Sequence, residues 1–221
     1  MTYSPLDAPA ELQWRESWDR TAASGPAALT LHCVRVPPAR VAARDFVRLA
    51  DRVKTALRSS GQVRDDVALT VAEDHDGIAV TVGASPRRYG EVSVGEVLGI
   101  RVAGIGQISV WRSLPADNMG AVLDPIALGQ ALAECLALVA STWELTEVDL
   151  AVAIELNSVT LITDGDMSIL GKRSSATISG AMRRDLRVEP DESLHSTDLG
   201  HDCTAIATDL APVVLRAWRL S

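Results

Sequence analysis

The chain has 221 residues, 47% of them apolar, 23% charged and only 4% aromatic, which is the composition of an ordinary globular domain. Its formal charge of −8 disfavours a broad nucleic-acid or anionic-membrane face, because neutralising phosphates takes an excess of Lys and Arg. The three cysteines, Cys33, Cys135 and Cys203, are widely separated and form no CxxC pair, so neither a zinc ribbon nor a redox motif is indicated.

At this length the chain can bury roughly 70% of its unfolded surface, in one generous domain or two small ones packed together. The opening "MTYSPLDAPAEL" has neither a basic start nor an apolar stretch, so no signal peptide is expected. No run approaches the roughly 18 apolar residues of a membrane span. Cytoplasmic residence and no membrane partner follow as expectations. Lys54 and Lys172 are the only lysines, and this Arg bias suggests a GC-rich, bacterial coding genome.

Residues 1–26 hold Trp14 and Trp18 among charges and end in "AASGP", the pattern of a loosely ordered segment with a short helix or strand near 11–20. "ALTLHCVRV" (28–36) reads as a strand stopped by Pro37-Pro38. In it, His32 and Cys33 point to opposite faces, and no acid partner for His32 is visible nearby. From 42 to 61, Phe46, Leu49, Ala50, Val53, Ala56 and Leu57 fall at steps of three and four, a helical stripe with Gly61 as its stop. "DVALTVAEDHDGIAVTVGA" alternates about Asp76-Gly77, a strong hairpin signal. There Asp74, His75 and Asp76 read as turn chemistry. "GIRVAGIGQI" has no third glycine in register for a dinucleotide fingerprint and reads as a bend between strands.

The pattern then recurs. "QISVWRSLP" (107–115) is a strand. A helix over 124–141 follows, with Asp124 as N-cap, Pro125 at the first helical position, and a stripe of Leu128, Ala131, Leu132, Cys135, Leu136 and Val139. "VDLAVAIELNSVTLIT" (148–163) reads as two strands about "NS". A partial third copy comprises "LRVEP" (186–190) and a helix carrying Ile206, Leu210, Val213, Val214, Ala217 and Trp218. Pro212 inside that pattern predicts a kink or a late start. The expected fold is α+β: antiparallel or mixed sheet with amphipathic helices on one face. It divides into a unit over 27–106 and a second over 107–221 with the C-terminal helix, packed as one body.

"LITDGDMSILGKRSS" (161–175) invites a phosphate-loop reading and fails it. Five residues, not four, separate Gly165 from Gly171, and Arg173 follows Lys172, so the hydroxyl arrives one place late at Ser174. A Ca²⁺ loop on Asp164, Asp166 and Ser168 fails too, because Ile169 stands where glycine is needed. What survives is a basic segment, Lys172, Arg173, Arg183, Arg184 and Arg187, that can take an anion or an acidic partner through guanidinium forks. It can equally pair with Glu189, Asp191 and Glu192. His195, Asp198, His201, Asp202 and Cys203 are of metal-ligand type, but no second ligand pair stands elsewhere. The simpler role for Asp198 or Asp202 is a helix cap.

No GxSxG or HExxH occurs, and no cofactor is implied. The expected function is a non-catalytic interaction or accessory module engaging a protein partner or a second copy through strand edges and the basic loop. The competing reading is a small hydrolase or nucleotide-handling enzyme that uses Lys172 and the His195–Asp202 region.

Overall fold

A computed structural model describes residues 3–19, 26–74, 76–82, 98–142, 147–157, 161–172 and 186–221. In chain order its strands are β1 (Tyr3–Pro5), β2 (Ala28–Val36), β3 (Leu69–Asp74), β4 (Gly77–Val82), β5 (Leu98–Ala103), β6 (Gln107–Ser113), β7 (Ala116–Asp117), β8 (Gly120–Leu123), β9 (Asp149–Asn157), β10 (Ile162–Asp164), β11 (Leu186–Val188) and β12 (Glu192–His195). The helices are α1 (Ala43–Ser59), α2 (Pro125–Thr142), α3 (Ser196–His201) and α4 (Cys203–Leu220).

Among the described residues nine strands form an antiparallel sheet in the order β1-β12-β9-β2-β6-β5-β4-β3, with β11 also paired to β9. The α+β fold with mixed helix and antiparallel sheet is as expected. β2 sits at the centre, paired along its length with β6 and β9. Its alternation decides the architecture. Leu29, Leu31 and Cys33 face one way, together with Ile108, Val110, Ile100, Val80, Val152 and Ile154 from neighbouring strands, and join the buried apolar cluster. Helices α1, α2 and α4 supply the other half of that cluster. Thr30 and His32 face the opposite way.

The helices keep most of their expected stripes. Leu49, Ala50, Val53, Ala56 and Leu57 of α1 are buried, and Gly61 takes the left-handed conformation (φ +72°) just past the helix end. Asp124 caps α2, its Oδ1 accepting from the N–H groups of Ile126 and Ala127. In α4 the face is rotated from expectation: Ile206, Ala207, Ala211, Val214 and Leu215 are buried, whereas Val213 is 47% exposed. Pro212 neither delays nor ends the helix, which runs from Cys203 to Leu220 through it. Helix α2 is by length and composition apolar enough to cross a membrane, contrary to the expectation that no run would be. Here Leu128, Leu132, Cys135, Leu136, Leu138 and Val139 are buried in the core.

Two further expectations need correcting. Asp76-Gly77 makes its hairpin, β3–β4, but the second expected hairpin does not form. β9 stays in the main sheet, while β10 pairs in parallel with β8 in a separate three-stranded sheet. The amino-terminal segment is also more than a loose start. Tyr3–Pro5 pairs with β12, and residues 13–19 lie against the sheet.

Candidate functional site

Opposite the helices the sheet presents a polar face, and side-chain alternation builds it. Thr30 and His32 of β2, Gln107, Ser109 and Trp111 of β6, Arg101 of β5, and Glu155 and Asn157 of β9 share it, and all are buried. Residues 13–19, with a short 3-10 turn at Arg15–Ser17, cover its middle. The side-chain amide of Gln107 accepts from the Gln13 main-chain N–H (2.8 Å) and donates to the Gln13 C=O (2.8 Å). Glu155 Oε2 accepts from the Arg15 N–H at 2.9 Å. The Gln13 side chain bonds Arg101 Nη1 (2.8 Å) and Asp76 Oδ2 (2.5 Å). The sheet thus reads the main chain of an extended segment through side chains, without a backbone ladder.

Cations and rings then interleave. Arg101 lies over Trp18 (4.9 Å), Trp18 stacks obliquely on Trp111 (5.4 Å), and Arg15 lies over Trp111 (5.0 Å). Arg187 of β11 lies over Trp14 (4.9 Å), which meets His32 edge-on at 5.3 Å. Such contacts stabilise by about 0.5–2 kcal/mol each when desolvated. Arg187 also pairs with Glu16 and approaches Glu155 (3.6 Å).

Beneath the segment lies a sealed polar chain. His32 Nδ1 is 2.9 Å from Ser109 Oγ, and His32 Nε2 is 3.4 Å from Glu155 Oε2. Gln107 Nε2 donates to Gln13 O and lies 2.9 Å from Ser109 Oγ. Gln107 Nε2 is also 3.0 Å from His32 Nδ1, so Nδ1 accepts from the Ser109 O–H or the Gln107 N–H, and His32 carries its proton on Nε2, facing Glu155. Burial lowers the His32 pKa, against the opposing pull of Glu155, and the charges of Arg187 and Arg15 lower it further. Burial alone would raise Glu155, but the facing His32 Nε2, the hydrogen bond from the Arg15 N–H and the nearby Arg187 hold it below the ordinary range. His32 therefore has an acid partner two residues along the adjacent strand, which sequence reading missed.

Serine, histidine and carboxylate are the components of a hydrolase triad, but the wiring is not. Serine meets Nδ1 and the carboxylate meets Nε2, the reverse of a Ser–His–Asp relay. Ser109 lies mid-strand between His32 and Arg101, so its flanking N–H groups serve the ladders and do not converge on an oxyanion. It is also 1% exposed. The trio holds the segment and fills a polar core.

Beside the segment the face opens into a cleft of about 320 Å³ lined by Arg15, Trp18, Arg101, Trp111, Ala79 and Thr81, with Asp19, Ala72, Glu73 and Asp74 at its margin. Arg101 is 2% exposed, and its Nε has no hydrogen-bond partner. Its Nη2 approaches Asp74 (3.5 Å) and Asp76 (4.0 Å), so the hairpin carboxylates do more than shape a turn. Strand β3 bounds the cleft and ends the sheet. Among the described residues its outer edge is unpaired.

The residues expected to form sites are dispersed. Of the basic segment, Arg173, Arg183 and Arg184 lie outside the described residues. Lys172 is exposed, and Arg187 is engaged on the polar face by Trp14, Glu16 and Glu155. The glycine-bearing loop is tied down by carboxylates: Met167 N–H donates to Asp124 Oδ2 and Gly171 N–H to Asp117 Oδ2. Amides already given to carboxylates are a poor phosphate cradle. His195 ends β12 and accepts from the Thr197 N–H, while Asp202 caps α4 by accepting from the Ala205 N–H. Cys203 Sγ contacts the Leu199 carbonyl. Among the described residues no three His, Cys, Asp or Glu side chains are placed to hold a metal, and this includes His195, Asp198, His201 and Cys203.

Nor does the competing enzyme site assemble. Ile126 and Gly129 of α2 share a hollow with Pro212 and Leu215 of α4, whereas Ala137 and Ser141 share one with Cys203 and Thr204. The two helices are therefore antiparallel. The Lys172 loop is tethered at Asp124, before the start of α2, and His201–Cys203 lies by its end. The length of α2 between them is roughly 25 Å. The chain matches no known family model, no curated protein and no solved structure.

Proposed function

We propose that the chain is a non-catalytic interaction module of a bacterial cytoplasmic system. Its protein partner docks as an extended segment along β3 and into the cleft beside Trp18 and Trp111. The single observation that carries the reading is Arg101. Its guanidinium is almost fully buried and lines the cleft, which runs across β4 to β3, the last strand of the sheet among the described residues, and its Nε has no hydrogen-bond partner. A buried unpaired donor costs about 1–3 kcal/mol. A carbonyl or carboxylate brought in by a docked chain would meet the part of the guanidinium that lines the cleft, while Nε itself stays covered.

The surroundings suit a peptide. An open edge offers main-chain N–H and C=O groups for strand addition, while alternate side chains of the added strand fall on one face. Ala72, Ala79 and Thr81 keep that face low enough to receive them. Trp and Arg, the walls of the cleft, are the residue types over-represented at binding hot spots. A photo-crosslinking residue at Ala72, tested in cells, is expected to capture one heterologous protein. The same residue at exposed Arg44 on α1 should capture none. Equal background at both positions would sink the proposal, and an adduct of two copies of the chain would replace the partner by a second copy.

A further inference from the structure

We infer that residues 11–19 act as an intramolecular ligand on the polar face, exchangeable for an extended partner segment of the same chemistry: two aromatic residues four positions apart, an arginine following the first. Residues 6–19 contribute no side chain to the continuous apolar core or to the ring of hydrophobics packed against it. The contacts they make are of docking type. Main-chain groups of Gln13 and Arg15 are read by the side chains of Gln107 and Glu155. Trp14 and Trp18 fall on separate receiving positions, the first formed by His32 and Arg187, the second by Trp111 and Arg101. Glu16 meets Arg187. Main-chain recognition by Gln107 does not depend on which side chain sits at position 13, but the Gln13 amide also meets Arg101 and Asp76, so specificity resides in the two aromatic positions and that amide. A partner carrying that spacing would compete with residues 11–19, and the cis segment would set its apparent affinity.

The idea does not depend on docking at β3, and failed crosslinking at Ala72 would leave it standing. The test uses the full chain with protease sites placed within residues 7–10 and within residues 20–25, so that β1 can stay paired with β12, and a labelled peptide of residues 11–19 as the probe. After cleavage, the excised fragment should dissociate on dilution and the probe should bind saturably. Uncut protein should bind it at least about tenfold more weakly, because a short tether holds the cis segment at millimolar effective concentration. A probe with both tryptophans changed to alanine should not bind. An uncut Trp14→Ala/Trp18→Ala variant should also take up the unmodified probe, giving a second readout that needs no cleavage. A fragment that never exchanges, a probe that binds cut and uncut chains equally, or a folded double variant that ignores the probe would each overturn the inference. So would a chain that unfolds when cut, since the segment would then be part of the fold.

Discussion

The indole of Trp111 occupies the space that a side chain at position 99 would fill. A Cβ built on Gly99 would lie 2.1 Å from Trp111 Cζ2 and 2.4 Å from Cε2. Glycine is needed here for close approach across β5–β6, where residues 99 and 111 are register partners, and not for its backbone freedom. Gly99→Ala should cost about 2–3 kcal/mol, the upper part of the usual range for overpacking. In a Trp111→Leu background the same change should cost well under 1 kcal/mol. Urea denaturation of the four proteins in that cycle measures the coupling, and an additive result would contradict the packing described.

Gln107 holds three other groups at once, and its two ends can be tested separately. Gln107→Glu keeps an acceptor for the Gln13 N–H but removes the donor to Gln13 O, Ser109 and His32, and it buries a charge. Gln107→Leu removes both ends. Each should destabilise by about 2–4 kcal/mol, from unpaired buried groups and, for Glu, added charge. Glu should be rescued in part at low pH and Leu should not. Near-UV circular dichroism from Trp14 and Trp18 should weaken in both before the helical signal does. Loss of the two signals together would show that the segment and the core melt as one.

Stability should fall with acid through His32. Its folded pKa is lowered by burial; an unfolded histidine titrates near 6.5. Below about pH 6.5 the unfolded chain takes up a proton that the folded chain refuses, so the native state loses up to about 1.4 kcal/mol per pH unit until the folded value is reached. Glu155 acts in the same direction lower down: its folded pKa is depressed, so its contribution is present above the unfolded value and is lost as pH falls through the folded one. Urea midpoints at pH 7.5, 6.0 and 5.0 should drop in sequence, and His32→Gln should flatten the drop across both intervals. A wild-type midpoint unchanged between 7.5 and 5.0 would refute the assignment.

Much of this molecule is legible from local pattern. Asp124-Pro125 announces α2, Asp76-Gly77 announces a hairpin, and the α1 stripe is buried as its spacing requires. The α+β class follows from those elements. The site was written in the strands as well, less loudly. Thr30 and His32, Gln107 and Ser109, and Glu155 and Asn157 are polar pairs two residues apart inside otherwise apolar strands, which places each pair on one face. What no local pattern supplies is strand order. His32 and Glu155 are 123 positions apart in sequence and become neighbours only because β2 pairs with β9. Another long-range pairing, β11 on β9, explains Arg187, expected in a basic loop and found instead over Trp14. Position 213 was misplaced for another reason: a five-residue alternative face, Ile206 to Leu215, has the same helical period, and only the packing of α4 on α2 selects between them.

Pro212 is the clearest place where the fold carries a cost it does not need for stability. It sits mid-helix and exposed, so the Thr208 carbonyl receives no N–H from it and the ring crowds that carbonyl. Proline in a helix interior is about 3 kcal/mol worse than alanine, while its stiffening of the unfolded chain returns about 0.4–1 kcal/mol. Pro212→Ala should therefore raise stability by about 2 kcal/mol and Tm by roughly 4–8 °C for a domain of this size. Thermal unfolding followed at 222 nm would show it. A lower Tm would mean that the ring makes contacts in the α2–α4 hollow worth more than the lost hydrogen bond. An unchanged Tm would mean that α4 already relaxes around Thr208.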